Sequence, residues 1–479
     1  MTRTLSPAVE FMGIHKSFGE FHAAKDLNFQ VAAGEIHAIV GENGAGKSTS
    51  MNILFGLYKP EAGTLKIHGK EVCFNSPMEA MNLGVGMVHQ HFMLAQPLSA
   101  LDNILLFQKN PKALQRLNRK EHQARLQKLA AEYQFNIEWE TPVQNLSVGT
   151  QQRIEILKIL SQDSRIIILD EPTAVLTPQE IEDLFKNLKK LKAEGRTILI
   201  ITHKLKEVMA IADAVTILRN GKVIANKKIS ETSVEDLAEN MVGRKIKNLA
   251  LSERRPFANQ DLVMKIQDMN IDLQVRKGEI VGVAGVEGNG QDALIQASLN
   301  PRSLKMCALR VAAFPEDRTR FGLLKERPLH ENFILGYHNS PEYSRYGFLR
   351  FKNIFAKTKA AMEKYDVRPR DLQKPIGQLS GGNQQKLVVA RELQNNPDFI
   401  LAAKPTRGVD IGAIEFIHEQ LLAARNRGAG ILLVSTELEE LMTLSDQIVV
   451  LFKGQIVAKF LRSNNYNEIE IGAAMGGRT

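Results

Sequence analysis

Short apolar runs alternate along the chain with longer segments whose apolar residues recur at helical spacing. Residues 35–40, 166–169 and 198–201 are rich in apolar side chains, which predicts strands. The segment 178–193 is predicted to be a helix, since threonine, proline and glutamate stand at its start in capping positions. Strands interleaved with helices in this way predict an α/β fold, with a mostly parallel sheet covered by helices on both faces.

This pattern occurs twice, because short sequence segments recur at a nearly constant offset. Matching segments lie 244 residues apart early in the copies and 233 apart later, as in GEI at 34–36 and 278–280, and LS at 146–147 and 379–380. The sequence therefore predicts two tandem domains, 1–246 and 261–479, joined by a polar linker over 247–260. The second copy is shorter where the first has GTLKIHGKEVCF, a predicted strand pair, so its small antiparallel sheet is expected to be reduced.

Composition narrows the class of protein further. The apolar runs are far shorter than the ~20 residues that cross a membrane, and the N-terminus lacks a secretory signal, so we expect a cytosolic chain. Cys73 and Cys307 are too few for a disulfide framework or a four-cysteine zinc site and are expected to be buried. The net charge of +9 is compatible with nucleic acid, nucleotide or an anionic membrane. Since no long run of like charge concentrates it, we favour a solvated surface with mild attraction to the cytoplasmic leaflet.

The segment GENGAGKS, between a predicted strand and a predicted helix, matches a phosphate-binding loop. Its glycines let successive backbone N–H groups turn toward phosphate, Lys47 reaches the outer phosphates, and Ser48 supplies an oxygen to Mg²⁺. A chance match is disfavoured by the strand and helix on either side. The predicted nucleotide-binding residues are Gly41, Glu42, Asn43, Gly44, Ala45, Gly46, Lys47, Ser48 and Thr49.

Two carboxylates end the predicted strand 166–169, at the edge where parallel sheets place ligands. Asp170 is predicted to hold the metal through water. Glu171 is placed to take a proton from an attacking water. The alternative is a pair of surface acids, which the upstream loop disfavours.

Four segments in order resemble the ATP-binding-cassette ATPases: the phosphate loop, LSVGTQQR at 146–153, ILDEPTA at 168–174 and ITHKLKEV at 201–208. The resemblance covers nearly the whole chain, twice, and implies a helical subdomain in each copy. It also implies that Phe18 stacks on adenine, Gln90 lies near Mg²⁺ and the attacking water, and His203 contacts the γ-phosphate. Each of these roles has an alternative. Phe18 could be a core residue, Gln90 with its flanking histidines could form a metal site, and His203 could cap a helix. The metal site is the least favoured of the three.

The second copy lacks the corresponding chemistry. Its loop, GVEGNGQD, has Gln291 and Asp292 where the first copy has lysine and serine. Ala403, Lys404 and Thr436 replace the two carboxylates and the histidine. We expect this pocket to bind nucleotide weakly or not at all.

The second copy nevertheless has the fuller signature segment, LSGGNQQK at 379–386. In the resembled family two domains pack head to tail, which implies that ATP binds between the first loop and the second signature. The γ-phosphate would then be bound by Ser380, Gly381 and Gly382. The alternative role of Ser380 is to cap the following helix, and one serine can serve both roles. Asp410 is predicted either to reach across that interface or to cap the next helix.

Together with PEDR at 315–318 and PTRGVD at 405–410, these segments resemble the importers of simple sugars and nucleosides, the nucleoside type most closely. Riboflavin importers share much of the pattern. The resemblance implies an ATPase on the cytoplasmic face of the membrane, peripheral to it, with two membrane-spanning permease subunits and an extracytoplasmic substrate-binding protein. Residues 91–106 would receive a permease helix, and neither nucleic acid nor the transported solute would be contacted.

Two other classes are less favoured. A soluble tandem-cassette protein acting on ribosomes or DNA usually carries a long charged linker or zinc cysteines and keeps both sites. A regulator that binds ATP without hydrolysis would not need the intact Lys47, Asp170, Glu171 and His203.

Overall fold

The computed structural model describes residues 7–19, 21–90, 92–107, 118–173, 176, 178–244, 261–268, 271–286, 288–299, 310–462 and 466–477. The chain divides into two compact units, Met1–Ile246 and Lys247–Thr479. The predicted linker over 247–260 lies outside the described residues.

The first unit contains ten strands and eight helices in its described residues. The strands are β1 Pro7–Phe18, β2 Phe21–Ala32, β3 Ile36–Gly41, β4 Ala62–Ile67, β5 Lys70–Val72, β6 Val85–Val88, β7 Ile166–Asp170, β8 Thr197–Ile201, β9 Ala214–Arg219 and β10 Lys222–Lys228. The helices are α1 Lys47–Leu54, α2 Pro77–Asn82, α3 Ala100–Leu106, α4 Arg119–Glu132, α5 Val148–Leu160, α6 Pro178–Ala193, α7 Leu205–Ile211 and α8 Val234–Val242.

A six-stranded sheet in the order β10-β9-β3-β8-β7-β6 forms the centre of this unit. All neighbours from β9 to β6 pair in parallel, and only the edge pair β9 and β10 is antiparallel. Strands β3, β7 and β8 are buried along their whole length, as expected for a sheet covered on both faces. Their carboxyl ends therefore deliver side chains to one common edge.

Two smaller layers complete the first unit. An antiparallel sheet in the order β2-β1-β4-β5 packs over α1, and its strands β4 and β5 confirm the predicted strand pair. Helices α3, α4 and α5 form a helical layer whose apolar side chains pack on those of the main sheet, with Tyr133 and Leu157 fully enclosed. In the sequence, the three helices of the helical layer lie between strands β6 and β7.

The second unit repeats this plan with ten strands and seven helices in its described residues. The strands are β11 Leu262–Asp268, β12 Ile271–Arg276, β13 Ile280–Ala284, β14 Val311–Phe314, β15 Ser344–Arg345, β16 Phe348–Leu349, β17 Phe399–Ala403, β18 Gly430–Val434, β19 Gln447–Phe452 and β20 Gln455–Leu461. The helices are α9 Gln291–Leu299, α10 Leu329–Phe333, α11 Phe351–Lys364, α12 Gly381–Leu393, α13 Ile411–Asn426, α14 Leu438–Leu444 and α15 Glu468–Met475.

Its main sheet, β14-β17-β18-β13-β19-β20, has the same strand order as the first when each strand is matched to its counterpart. Among the described residues, the counterpart of the β2-β1-β4-β5 sheet contains only β11 and β12, in agreement with the predicted reduction, and β15 and β16 form a separate antiparallel pair. The fold prediction is thereby confirmed for both units.

Individual elements also agree with the sequence. Helix α6 spans the predicted residues 178–193, and α1 is followed by Gly56 with a φ of 80°. The expected burial is wrong for Cys73, whose thiol is exposed because it follows β5 at the edge of its sheet. Cys307 lies outside the described residues. Within the described residues, no helix is both long and apolar enough to span a bilayer.

Candidate functional site

The loop between β3 and α1 can be built only with glycine at two of its positions. A Cβ at Gly41 would lie 2.3 Å from the carbonyl oxygen of Leu218. Gly46 has a φ of +99°, and a Cβ there would lie 2.3 Å from the carbonyl oxygen of Ala23. Gly44 has a φ of +81° but open surroundings. This backbone is the concave turn at a helix N-terminus that suits phosphate.

Lys47 begins α1 and points back into the loop. Its ammonium group donates hydrogen bonds to the carbonyl oxygens of Gly41, at 2.8 Å, and Glu42, at 2.9 Å. Burial lowers the pKa of Lys47, while the carboxylates of Glu171 and Asp170 oppose that shift. The cation is thus held inside the loop and close to both carboxylates at the end of β7.

Asp170 and Ser48 lie against each other at the mouth of the loop. Burial raises the pKa of Asp170 to about 6, and a hydrogen bond from Ser48 and the charge of Lys47 act in the opposite direction. A hydroxyl and a carboxylate are hard oxygen donors of the kind that Mg²⁺ prefers. Among the described residues no cluster of three or more histidine, cysteine or acidic side chains could hold a metal by itself. The donor set therefore fits a Mg²⁺ that receives its other ligands from phosphate and water.

Glu171 is held by two residues that the family resemblance had singled out for other contacts in the site. Gln90 donates a hydrogen bond from its amide nitrogen to Oε2, at 2.9 Å, and Nδ1 of His203 lies 2.9 Å from Oε1. The hydrogen bond from His203 lowers the pKa of Glu171, against the effect of burial. The residue adopts a left-handed φ of 47°, and its backbone N–H donates to the carbonyl oxygen of Ile201. Its carboxylate is thus both ionised and fixed in orientation.

Three exposed aromatic residues lie near the first loop, and the sequence analysis named only one of them, Phe18. Phe18 is 44% exposed and lies edge-on against Tyr58, with ring centroids 5.2 Å apart. The alternative of a core residue is therefore wrong for Phe18. Phe21 is 55% exposed and lies beside the loop, 4.0 Å from the position of a Cβ at Gly44. Sequence reasoning missed Phe21 and Tyr58, although the second aromatic residue in FGEF was a usable signal.

The other predicted loop residues differ in exposure. Ala45 is 3% exposed, Asn43 is exposed, and Glu42 and Thr49 are half-buried. The backbone N–H of Ala45 donates to the carbonyl oxygen of Glu42, which closes the turn. The structure thus brings the loop, both carboxylates, Gln90 and His203 together within the first unit.

The two signature segments form equivalent helix starts in their own units. Ser147 caps α5 by accepting from the backbone N–H of Thr150 at 3.2 Å, and Ser380 caps α12 by accepting from Asn383 at 3.4 Å. Gly381 and Gly382 follow Ser380 in the first turn of α12. Asp410 caps α13 by accepting from the backbone N–H of Ala413 at 2.8 Å, so the capping alternative holds in this structure.

The loop of the second unit keeps its shape but not its charges. Gly288 and Gly290 have φ values of 88° and 105°, close to those of their counterparts in the first loop. Gln291 points into the loop and donates to the carbonyl oxygen of Val286 at 2.9 Å, where the first unit has a lysine. An uncharged amide thus occupies the position that the ammonium group of Lys47 has in the first unit.

A buried asparagine that the sequence did not reveal supports the segment after Gln90. Asn103 accepts from the backbone N–H of Ala95 at 2.7 Å and donates to the carbonyl oxygens of Ala95, Leu98 and Ser99. Asn332 makes the same pattern of bonds with Leu324, Arg327 and Pro328 in the second unit. Recurrence of an asparagine in both copies was the signal that could have identified it.

Comparison with known proteins agrees with this geometry. The sequence matches the ABC transporter family over residues 24–174 and 269–407, which together cover more than half of the chain. It is 42% identical to the guanosine import ATP-binding protein NupO of Bacillus subtilis, with 98% of each chain covered. It is 41% identical to the nucleoside import ATP-binding protein NupA of Lactococcus lactis, with 94% of each chain covered. It is 38% identical to the ribose import ATP-binding protein RbsA of Hahella chejuensis, with 96% of each covered.

These matches confirm the family resemblance noted in the sequence, including its occurrence in two copies. The chain therefore belongs to the ABC transporter family, as an ATPase chain with two tandem ATP-binding domains.

Proposed function

We propose that this chain hydrolyses ATP in its first domain and so energises an importer of nucleosides. The observation that carries the proposal is the carboxylate of Glu171, fixed by Gln90 on one oxygen and by His203 on the other. The second domain has lysine in place of that carboxylate. The domains are proposed to span 1–246 and 261–479, with 247–260 as the linker.

ATP is proposed to bind with its phosphates in the loop from Gly41 to Thr49. Lys47 would exchange its two carbonyl partners for phosphate oxygens, and the partial positive charge of α1 adds to its effect. Ser48 and Asp170, with Gln90 nearby, would hold Mg²⁺, which when bound neutralises charge on the phosphates. Phe18 is proposed to stack on adenine, since its ring is accessible.

The chemical step uses water as the nucleophile. Its oxygen forms a bond to the γ-phosphorus while the bond from that phosphorus to the bridging oxygen of ADP breaks, and the water proton passes to Glu171. The lowered pKa of Glu171 keeps this group ionised and able to accept. His203 orients the carboxylate, with Nδ1 2.9 Å from Oε1 of Glu171, and is proposed to contact the γ-phosphate. The products are ADP and inorganic phosphate.

The working pocket is proposed to need the signature of the second domain. Each domain retains what the other has lost: the first has the loop and the base, and the second has the glycine pair after its signature serine. Ser380, Gly381 and Gly382 would bind the γ-phosphate through the N-terminus of α12. One hydrolysis site per chain follows from this division.

The transported solute is proposed to be a nucleoside, because two relatives at 41% and 42% identity are named for guanosine and nucleoside import. The ribose import relative at 38% identity supports a simple sugar as the second candidate, and riboflavin remains a third. Two permease subunits and an extracytoplasmic binding protein would complete the importer, with this chain on the cytoplasmic face. Met93 and Leu106, exposed at 65% and 71%, would contact a permease helix.

The test is Glu171→Gln in the chain purified with its permease subunits. It should lower ATP turnover by about 10²-fold or more and leave ATP binding intact. Glu182→Gln makes the same chemical change on an exposed face of α6 and should leave turnover unchanged. Turnover near that of the native chain in Glu171→Gln would refute the assigned base. A screen of nucleosides, sugars and riboflavin on the binding protein would decide the solute.

A further inference from the structure

The residues that replaced the catalytic set in the second unit are paired with one another. Glu316 stands where the first domain has Gln90, and its Oε1 lies 2.6 Å from Nζ of Lys404 and 2.6 Å from Nη1 of Arg407. Lys404 is only 8% exposed. The pair with Lys404 is the stronger link, because charged partners shielded from water attract more than exposed ones do. The Arg407 side chain is 59% exposed and adds a second, weaker pair on the same oxygen.

The backbone around this link is the same in both copies. Lys404 adopts a left-handed φ of 43°, against 47° for Glu171, and its N–H donates to the carbonyl oxygen of Val434 as that of Glu171 does to Ile201. The first domain joins these two positions by a single hydrogen bond between Gln90 and Glu171. The second domain has therefore exchanged one amide contact for two ion pairs at an unchanged place in the fold.

This link continues to the signature turn through Arg318, two residues after Glu316. Arg318 donates to the carbonyl oxygens of Arg407 and Gly408, at 2.8 and 3.3 Å. Its Nη2 would lie 2.5 Å from a Cβ at Gly381, so the guanidinium packs directly on the signature backbone. The first domain has Phe92 and Val148 at the matching positions and cannot make this contact.

A second attachment joins the same segment to α12. Arg391 is 5% exposed and donates to the carbonyl oxygens of Gly322 and Asn332, at 2.8 and 3.2 Å. The segment that carries Glu316 and Arg318 is therefore fixed at both ends to the helix that begins with the signature.

We propose that Glu316, Arg318, Lys404 and Arg407 form a positioning clamp that holds the signature turn of the second domain in place for the ATP site of the first. The clamp rests on the proposed function for its role, since only a working signature needs positioning. Its residues are positioning residues, because none is assigned a contact with ATP. In this domain the loss of catalytic residues thus accompanies a gain in rigidity behind Ser380 and Gly381.

The test reverses one charge and then rebuilds the contact of the first domain. Lys404→Glu places two carboxylates face to face, whereas Glu316→Gln with Lys404→Glu recreates the amide and carboxylate pair found at Gln90 and Glu171. Lys357→Glu is the matched control, since Lys357 pairs with Glu342 at 2.7 Å on an exposed surface. The readout is amide hydrogen exchange at Asn383 and Gln384 in the full chain without ATP, supported by KM and kcat for ATP.

We expect Lys404→Glu to speed exchange at these amides roughly tenfold, a change equivalent to about 1.4 kcal/mol in the opening of the turn. The double variant should restore exchange and KM to near native values, and the control should match the native chain. Unchanged exchange in Lys404→Glu, or a double variant as mobile as the single one, would overturn the clamp. A native chain without ATPase activity would instead count against the proposed function, since the exchange readout does not depend on turnover.

Discussion

Replacing Gly46 by alanine tests the geometry of the phosphate loop, with Gly44→Ala as a matched control. Both residues have positive φ, at 99° and 81°, so each alanine costs about 1 to 2 kcal/mol of backbone strain. Only at Gly46 would the new Cβ meet backbone, 2.3 Å from the carbonyl oxygen of Ala23. Overpacking of this kind costs roughly a further 1 to 3 kcal/mol. The Gly46→Ala variant should therefore lose about 2 to 5 kcal/mol of folding stability in total.

The assay is titration of each variant with a fluorescent ATP analogue, together with its thermal unfolding. Because strand β2 and the loop are forced apart at Gly46, we expect Gly46→Ala to lose measurable nucleotide binding, and Gly44→Ala to weaken it by roughly tenfold. A lower first unfolding transition in Gly46→Ala should accompany the loss. If the two variants bound nucleotide equally well, the close approach of Ala23 would not be what requires glycine.

Three further predictions concern other parts of the chain. Asn103→Ala and Asn332→Ala should each destabilise their own domain by about 1 to 3 kcal/mol, because buried backbone groups lose their partner, and thermal unfolding would measure this. The ammonium group of Lys158 lies 2.7 Å from the buried carboxylate of Glu155. Lys158→Met should therefore lower the free energy of unfolding by about 3 to 5 kcal/mol, because it leaves that carboxylate buried without its cation. Adding Glu155→Gln to the same chain should recover most of that stability, and no recovery would contradict the pairing. Gln291→Lys in a Glu171→Gln background should remain inactive, because Asp292 and Lys404 still occupy the second pocket; renewed ATP turnover would show that the second domain can hydrolyse.

The elements that sequence predicted well are those whose signals are local. The residues that set the span of α6 and the glycines of the first loop act within a few residues of where they stand, so their positions in the chain suffice to predict the helix and the loop. The reduced sheet of the second domain followed from a length difference between copies.

Contacts between distant segments could not be predicted in the same way. Substitution of lysine at 404 indicated lost catalysis, but its pairing with Glu316 joins residues 88 positions apart. Burial of Lys158 with Glu155 on α5 likewise depends on how the helical layer packs against the loop after Gln90. These interactions depend on which surfaces meet, and a single sequence does not specify that.

The most direct test of the account is the amount of ATP retained by the Glu171→Gln chain in complex with its permease subunits. We predict one tightly held ATP per chain, lost in Ser380→Ala but kept in Ser147→Ala, since both changes remove a helix cap while only Ser380 would bind the γ-phosphate. Two retained nucleotides per chain, or equal loss in the two serine variants, would contradict it.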